Sequence, residues 1–234
     1  MTERQRQIYK ENAIKEFIQL ANARFANAFY SNNNFSLNSC IDIYKLLKDI
    51  YKSENGKIVD NYCFRHIFES FYAMARGIYV TNRFAEAFYQ AMDTIREKGV
   101  DDKTPISVAL DLSKETNGKV QFSFVTKMFN LENDEKYPIY DSKVALIFNF
   151  LKYELQQADS NKKHIYSERY ALISETYEEL IKKEDILSVF KSKFKNAAQL
   201  SNMRLVDILI WQLGKDKDKK LQDAKKMRNK RDRL

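Results

Sequence analysis

The chain has 234 residues, of which 44% are apolar, 31% are charged and 13% are aromatic. Two prolines and five glycines are too few for the frequent turns of an all-β protein, and the apolar share is too high for a disordered chain. No run of about 18 apolar residues is present, so the sequence predicts no membrane-spanning helix. With only Cys40 and Cys63 and no apolar leader after Met1, we expect a cytoplasmic protein without disulfides.

The net charge of +8 is concentrated at the carboxyl end of the chain. Residues 215–234 contain seven lysines, three arginines and four aspartates, a net charge of +6, whereas residues 1–214 carry 30 basic and 28 acidic groups. Such a basic segment suits contact with a polyanion such as nucleic acid, and equally a solvated helix end that keeps the protein soluble. We expect a domain over residues 1–214, either as one body or as two packed lobes (1–100 and 101–214), followed by a basic helical tail.

Apolar residues recur at spacings of three and four along almost the whole chain, which predicts an all-α protein. Thr2 and Gln5 form a predicted capping box. Thr104 followed by Pro105 is a typical helix start, and Asp141 is a favoured N-cap residue. The helices are expected, in chain order, at about 2–30, 38–52, 60–76, 81–99, 105–116, 123–130, 141–151, 165–182, 184–195 and 201–213.

The stretch 136–140 reads Lys-Tyr-Pro-Ile-Tyr and is predicted to be extended, because proline disfavours helical backbone in the residue before it. Lys127 lies on the short helix before this stretch, and Asp141 opens the helix after it. An amine held on an apolar helix loses solvation, which lowers its pKa and leaves a neutral nucleophile. A carboxylate at a helix amino terminus is kept ionised by the amide dipoles. Together they suit attack on a sugar and stabilisation of its positive charge.

A helix pair carrying a lysine, followed by Pro138-x-x-Asp141 at the start of the next helix, resembles the helix-hairpin-helix DNA glycosylase superfamily. The resemblance is to its 8-oxoguanine DNA glycosylase-like branch, including small bacterial members. It implies a multi-helix fold of this type in which residues 106–130 contain the DNA-binding hairpin. It also implies that Lys127 attacks the anomeric carbon of a flipped-out nucleotide to form a Schiff base, while Asp141 supports loss of the base.

The resemblance further implies a set of binding residues, with double-stranded DNA as the expected partner. The segment 204–215 looks like the closing helix of small members of this fold, which places Trp211 and Gln212 at a base pocket together with Phe124. Residues expected to contact DNA lie on the hairpin, at two helix starts and in the basic tail: Lys119, Gln121, Ser123, Lys143, Lys215, Lys219, Lys220, Lys225, Lys226, Arg228 and Arg231.

Two functions of different classes fit the sequence. The first is an enzyme, a base-excision DNA glycosylase with or without lyase activity, which uses no cofactor. The second is a non-catalytic module on the same fold that binds nucleic acid or a protein partner, for instance in bacterial phage defence. The hairpin of the resembled family usually carries two glycines whose backbone N–H groups contact a DNA phosphate. Residues 121–125 contain no glycine, which favours the second function. No metal site is expected either, since Cys63-x-x-His66 has no second pair of ligands and is predicted to pack within its helix.

Overall fold

The computed structural model describes residues 2–26, 34–53, 56–74, 82–100, 104–148, 162–194 and 196–231. All regular structure in these ranges is helical, which confirms the all-α prediction. Short 3₁₀ turns at Ser113–Thr116 and Ala197–Gln199 follow the fifth and ninth α-helices. In chain order the described α-helices are α1 (Glu3–Ala26), α2 (Asn34–Lys52), α3 (Tyr62–Phe71), α4 (Asn82–Lys98), α5 (Pro105–Leu112), α6 (Phe122–Glu132), α7 (Ser142–Ile147), α8 (Lys162–Leu180), α9 (Glu184–Lys193) and α10 (Asn202–Arg231).

Local hydrogen bonds explain where the predicted helices begin. The backbone N–H of Thr2 donates to Gln5 Oε1 at 2.9 Å, and the N–H of Gln5 donates to Thr2 Oγ1 at 3.3 Å, which confirms the capping box. Thr104 caps α5 in the same way, since its Oγ1 accepts from the N–H of Ser107 at 3.2 Å. Pro105 occupies the first turn of that helix, where its missing N–H costs no hydrogen bond.

The last predicted helix and the expected helical tail form one continuous helix. It continues without a break to Arg231, whereas the apolar pattern ends near Leu213. Residues 214–231 contain no proline and are rich in lysine, which favours helix once the apolar half of α10 is anchored in the core. The expected basic tail is therefore the second half of one helix. The predicted helix ends near Tyr30 and Leu151 lie outside the described residues.

All ten described helices contribute to one buried core that is rich in aromatic side chains. Phe122, at the start of α6, packs its ring 5.1 Å from Tyr166 and 5.4 Å from Tyr170 of α8, measured between centroids. Ring pairs at such distances stabilise a fold beyond the area they bury. The largest fully buried side chains are Tyr44, Tyr51, Tyr89, Tyr177, Phe17, Phe64, Phe68, Phe84, Phe88, Phe129, Phe148 and Phe190.

Helices α7 and α10 approach each other closely at Gly214. A Cβ atom on Gly214 would lie 2.7 Å from Lys143 Cβ and 3.1 Å from Lys143 Cα. We expect Gly214→Ala to lower the free energy of unfolding by about 1–2 kcal/mol in urea, because the clash outweighs the helix propensity that alanine adds. Gln222→Ala, on the exposed part of the same helix, is the control. A Gly214→Ala protein as stable as the wild type would contradict the close packing.

The residues first considered as metal ligands lie at the surface. Cys63 and His66 are both exposed, and the prediction that they pack within the helix is wrong, because α3 buries its Phe64 and Phe68 face instead. Within the described ranges, no group of three or more His, Cys, Asp or Glu side chains is placed to hold a metal ion. No helix among the described residues has the length and apolar character to cross a membrane.

Candidate active site

A cavity of about 160 Å³ lies between α2, the end of α3, α6, α7 and α10. Lys127, Asp141 and Trp211 all line it, so the structure brings together the predicted nucleophile, carboxylate and base-pocket residue. Its volume resembles that of an apolar cavity of roughly 150 Å³ that binds benzene, which indicates room for a planar ring. The other lining residues are Cys40, Phe71, Tyr72, Ala73, Ile139, Val144, Arg204, Asp207 and Ile208.

Lys127 is buried on α6, with 5% of its surface exposed. Its Nζ donates to Ser123 Oγ, one turn earlier on the same helix, at 2.7 Å. The same Nζ lies 5.6 Å from the ring centroid of Tyr72 and 5.5 Å from that of Phe124. Burial lowers the pKa of Lys127, and the nearby charge of Asp141 opposes this in part. The cavity therefore contains an amine that loses its proton more readily than a lysine in water.

Asp141 caps α7, as the sequence predicts. Its Oδ1 accepts from the N–H of Lys143 at 2.8 Å and from the N–H of Val144 at 3.0 Å. Two backbone donors on one oxygen hold the side chain in a single orientation at the helix end. The carboxylate is thereby fixed at the cavity wall, within electrostatic reach of Lys127.

A non-helical segment, residues 137–140, leads the chain from α6 to Asp141 through the protein interior. Its backbone groups are buried and so need hydrogen-bond partners. Side chains of α6, α8 and α10 supply them, which determines the path of the segment and hence the position of Asp141. Asn130 Nδ2 donates to Tyr137 O at 2.8 Å, Tyr170 Oη to Pro138 O at 3.0 Å, Ile139 N–H to Asp207 Oδ1 at 3.1 Å and Tyr140 N–H to Thr126 Oγ1 at 3.1 Å.

Asp207, on α10, is the one acid among these anchors. Besides the N–H of Ile139, it accepts from Asn130 Nδ2 at 3.1 Å through Oδ2, and Arg204 Nη1 lies 3.7 Å from the same oxygen. Burial raises the pKa of Asp207 to about 7, and the charge of Arg204 opposes the shift. Neither residue is predicted as part of the site from the sequence. The sequence does contain a signal for Asp207, which is a carboxylate within the apolar run 205–211. A buried charge needs a partner, so such a residue is expected to have a specific role.

The two remaining predicted pocket residues, Phe124 and Gln212, do not line the cavity. The Phe124 ring is next to Lys127 Nζ and packs against Phe84, with 6.2 Å between the ring centroids. Gln212 is buried, but neither Gln212 nor Phe124 is among the described residues that line the cavity. Successive positions on a helix are rotated by about 100°, which explains why Trp211 lines the cavity and its neighbour does not.

The loop between α5 and α6, the predicted hairpin, closes on itself through short-range hydrogen bonds. Asn117 and Gly118 adopt left-handed backbone conformations, with φ of 51° and 78°. The N–H of Gly118 donates to Ser113 O at 2.9 Å. A Cβ atom on Gly118 would meet nothing within 4 Å, so this backbone is open to solvent. Lys119 is exposed directly after the turn, and Gln121 is half-buried immediately before α6.

Three of the predicted DNA-binding side chains contact other residues of the protein. Ser123 accepts from Lys127, as described above. Lys143 Nζ donates to Asp218 Oδ2 at 2.6 Å, which links α7 to α10. The Nζ of Lys215 lies 4.4 Å from the centroid of the Trp211 ring, in a cation–π contact.

The exposed basic residues begin one turn after Trp211 on α10. Positions 215, 219, 225 and 226 lie within about 90° of the Trp211 direction, counted at about 100° per residue. A basic face therefore extends from the wall of the cavity along the helix. Arg231 is the last described residue of α10. Among the side chains that the structure describes, the exposed basic ones in this half of the helix are those of Lys215, Lys219, Lys220, Lys225, Lys226 and Arg228.

The site thus combines a buried amine, a carboxylate held by a helix end and an indole, supplied by α6, α7 and α10. Each element is placed by packing with the others rather than by local sequence. Comparisons of the chain with protein-family models, with curated proteins and with solved structures found no match.

Proposed function

We propose that this protein is a DNA glycosylase of the helix-hairpin-helix type, which takes a flipped-out base into the cavity and removes it with Lys127 as nucleophile. One observation carries the proposal: Lys127 and Asp141, from different helices, line one ring-sized cavity together with Trp211. The lowered pKa of Lys127 supports it, because only the neutral amine is nucleophilic. The indole of Trp211 offers a surface on which a base can stack.

The proposed reaction uses these groups in order. The neutral Nζ of Lys127 attacks C1′ of the deoxyribose, so that an N–C1′ bond forms and the glycosidic bond breaks with its electron pair on the base. The resulting ammonium passes one proton through Asp141 to the leaving base. Its second proton goes to O4′ as the sugar ring opens to a Schiff base. Asp141 also stabilises the positive charge that develops on the sugar.

Borohydride trapping on duplex DNA that carries an abasic site or 8-oxoguanine tests this reaction. We expect a covalent complex, because borohydride reduces the Schiff base to a stable secondary amine, and peptide mapping should locate the adduct on α6. Binding that depends on salt, with no adduct, would overturn the reaction and indicate the non-catalytic nucleic-acid-binding module. Absence of both adduct and binding would overturn the proposed function altogether.

The basic face of α10 is proposed to contact the DNA backbone. Phosphate contacts by lysine release counterions, so the logarithm of the affinity should fall linearly with the logarithm of the salt concentration. The body of the protein anchors this helix as far as position 218. Lys217 Nζ lies 2.9 Å from Glu16 Oε1, Arg24 pairs with Asp216, and Lys143 pairs with Asp218. Substitutions after position 218 are therefore expected to leave these three contacts intact.

A threefold lysine-to-glutamine variant of this basic face should weaken binding to all DNA sequences alike. We expect the salt slope to fall by about 0.9 for each phosphate that the variant no longer neutralises, measured by fluorescence anisotropy between low and high salt. A variant with the same charge change elsewhere on the surface is the control and should keep the wild-type slope. Equal slopes for both variants would contradict a DNA-binding role for α10. The α10 positions are Lys219, Lys225 and Lys226, and the control positions are Lys52, Lys57 and Lys98.

A further inference from the structure

Two buried polar groups at the cavity have no part in the reaction proposed above. Arg204 is 4% exposed, and its guanidinium lies on the Tyr44 ring, with Cζ 3.9 Å from the ring centroid. Arg204 lies beside the hydroxyl of Tyr72, and among the described residues neither its Nε nor this hydroxyl has a hydrogen bond of standard geometry. Both residues line the cavity that Lys127 lines. The two atoms themselves have almost no accessible surface, so a ligand reaches them only where the side chains of Arg204 and Tyr72 separate.

Both groups are hydrogen-bond donors in the folded protein. An arginine N–H only donates. Burial by itself lowers the pKa of Arg204, but Tyr72, Tyr44 and Asp207 outweigh it and raise the pKa, so the guanidinium stays charged. Burial raises the pKa of Tyr72 to about 12, so its hydroxyl keeps its proton near neutral pH. A buried donor without an acceptor is costly, and a ring that supplies an acceptor at this wall is therefore favoured.

We propose that the cavity selects bases that carry a carbonyl oxygen over the matching amino bases, with Arg204 and Tyr72 donating to that oxygen. The inference rests on the proposed function, since that function makes a nucleobase the ligand. Hypoxanthine and adenine form a matched pair, because the first has an oxygen where the second has an amino group. That amino group is itself a donor and would face the donors of Arg204 and Tyr72 without forming a hydrogen bond.

Free bases test this selectivity without any reaction. Trp211 is the only tryptophan in the chain and lines the cavity, so its fluorescence reports occupancy. We expect hypoxanthine to produce a saturable change and to bind at least about tenfold more tightly than adenine. Arg204→Lys and Tyr72→Phe should each reduce this preference to about threefold or less, since each removes a donor.

Tyr72→Phe removes a single oxygen and so keeps the packing, which makes it informative even where Arg204→Lys fails to fold. Tyr51→Phe is the matched control, because Tyr51 is buried but donates to Glu132 Oε2 at 3.0 Å and does not line the cavity. This control should keep the wild-type preference.

The outcomes separate this inference from the proposed function. Equal affinity for hypoxanthine and adenine, or no saturable response to either base, would overturn the inference even where DNA trapping succeeds. An unchanged preference in Tyr72→Phe would overturn the assigned role of that hydroxyl. A clear preference for hypoxanthine without any trapping on DNA would instead support the base pocket and overturn only the reaction of Lys127.

Discussion

Lys127→Met is expected to abolish borohydride trapping, with a loss of more than about 10³-fold in the yield of covalent complex. The thioether of methionine keeps the length of the side chain but cannot form a Schiff base. Lys114→Met is the control, because Lys114 is 75% exposed and pairs with Asp111 at the surface. It should trap DNA as the wild type does. Trapping by Lys127→Met at the wild-type level would assign the adduct to another amine.

The same variant should be at least as stable as the wild type, because burying an amine costs free energy that methionine does not. The pKa of Lys127 lies below its ordinary value of 10.5 in the folded protein. Between the two values the unfolded chain binds more protons, so the wild-type free energy of unfolding rises with pH there. The advantage of Lys127→Met is therefore expected to be largest below the folded pKa and to shrink towards pH 10.5.

Urea unfolding of both proteins at pH 7 and pH 10 measures this difference directly. Loss of trapping together with undiminished stability would distinguish a functional lysine from one that the fold needs. A Lys127→Met protein that is less stable than the wild type at pH 7 would contradict the expectation, since it would show that the amine stabilises the fold.

Asp207→Ala is expected to lower the free energy of unfolding by about 3–5 kcal/mol, because it leaves Arg204 buried without its carboxylate. It also removes the acceptor for the N–H of Ile139, which frees the segment that places Asp141. Trapping should therefore fall as well. Urea unfolding measures the stability, with Asp223→Ala at an exposed position of α10 as the control. A loss below about 1 kcal/mol would show that Asp207 does not anchor the segment.

Asp207→Asn separates the charge of this residue from its hydrogen bonds. The pKa of Asp207 is raised to about 7 in the folded protein from an ordinary value of 3.8. The folded state binds more protons between these values, so the part of its stability that depends on protonation of Asp207 is present below pH 3.8 and is lost as the pH rises through 7. Relative to Asp207→Asn, the wild-type free energy of unfolding should fall between about pH 4 and pH 7. A constant difference across that range would contradict the raised pKa.

The helices of this protein are largely predictable from its sequence because their signals are local. The capping box at Thr2 and the Thr104-Pro105 start depend on residues within one turn, and the apolar spacing repeats within each helix. The same kind of signal places Lys127 before, and Asp141 after, an extended segment.

The tertiary structure alone decided what these residues face. Lys127, Asp141 and Trp211 line one cavity because α6, α7 and α10 pack together, with Gly214 allowing the close approach. Asp207 anchors the segment before Asp141 because the tertiary packing brings that segment against α10. Helical periodicity shows which face of each helix is apolar, but the partner of a buried polar group lies far along the chain. Only the packing of distant segments determines whether a buried charge holds the fold together or meets a ligand.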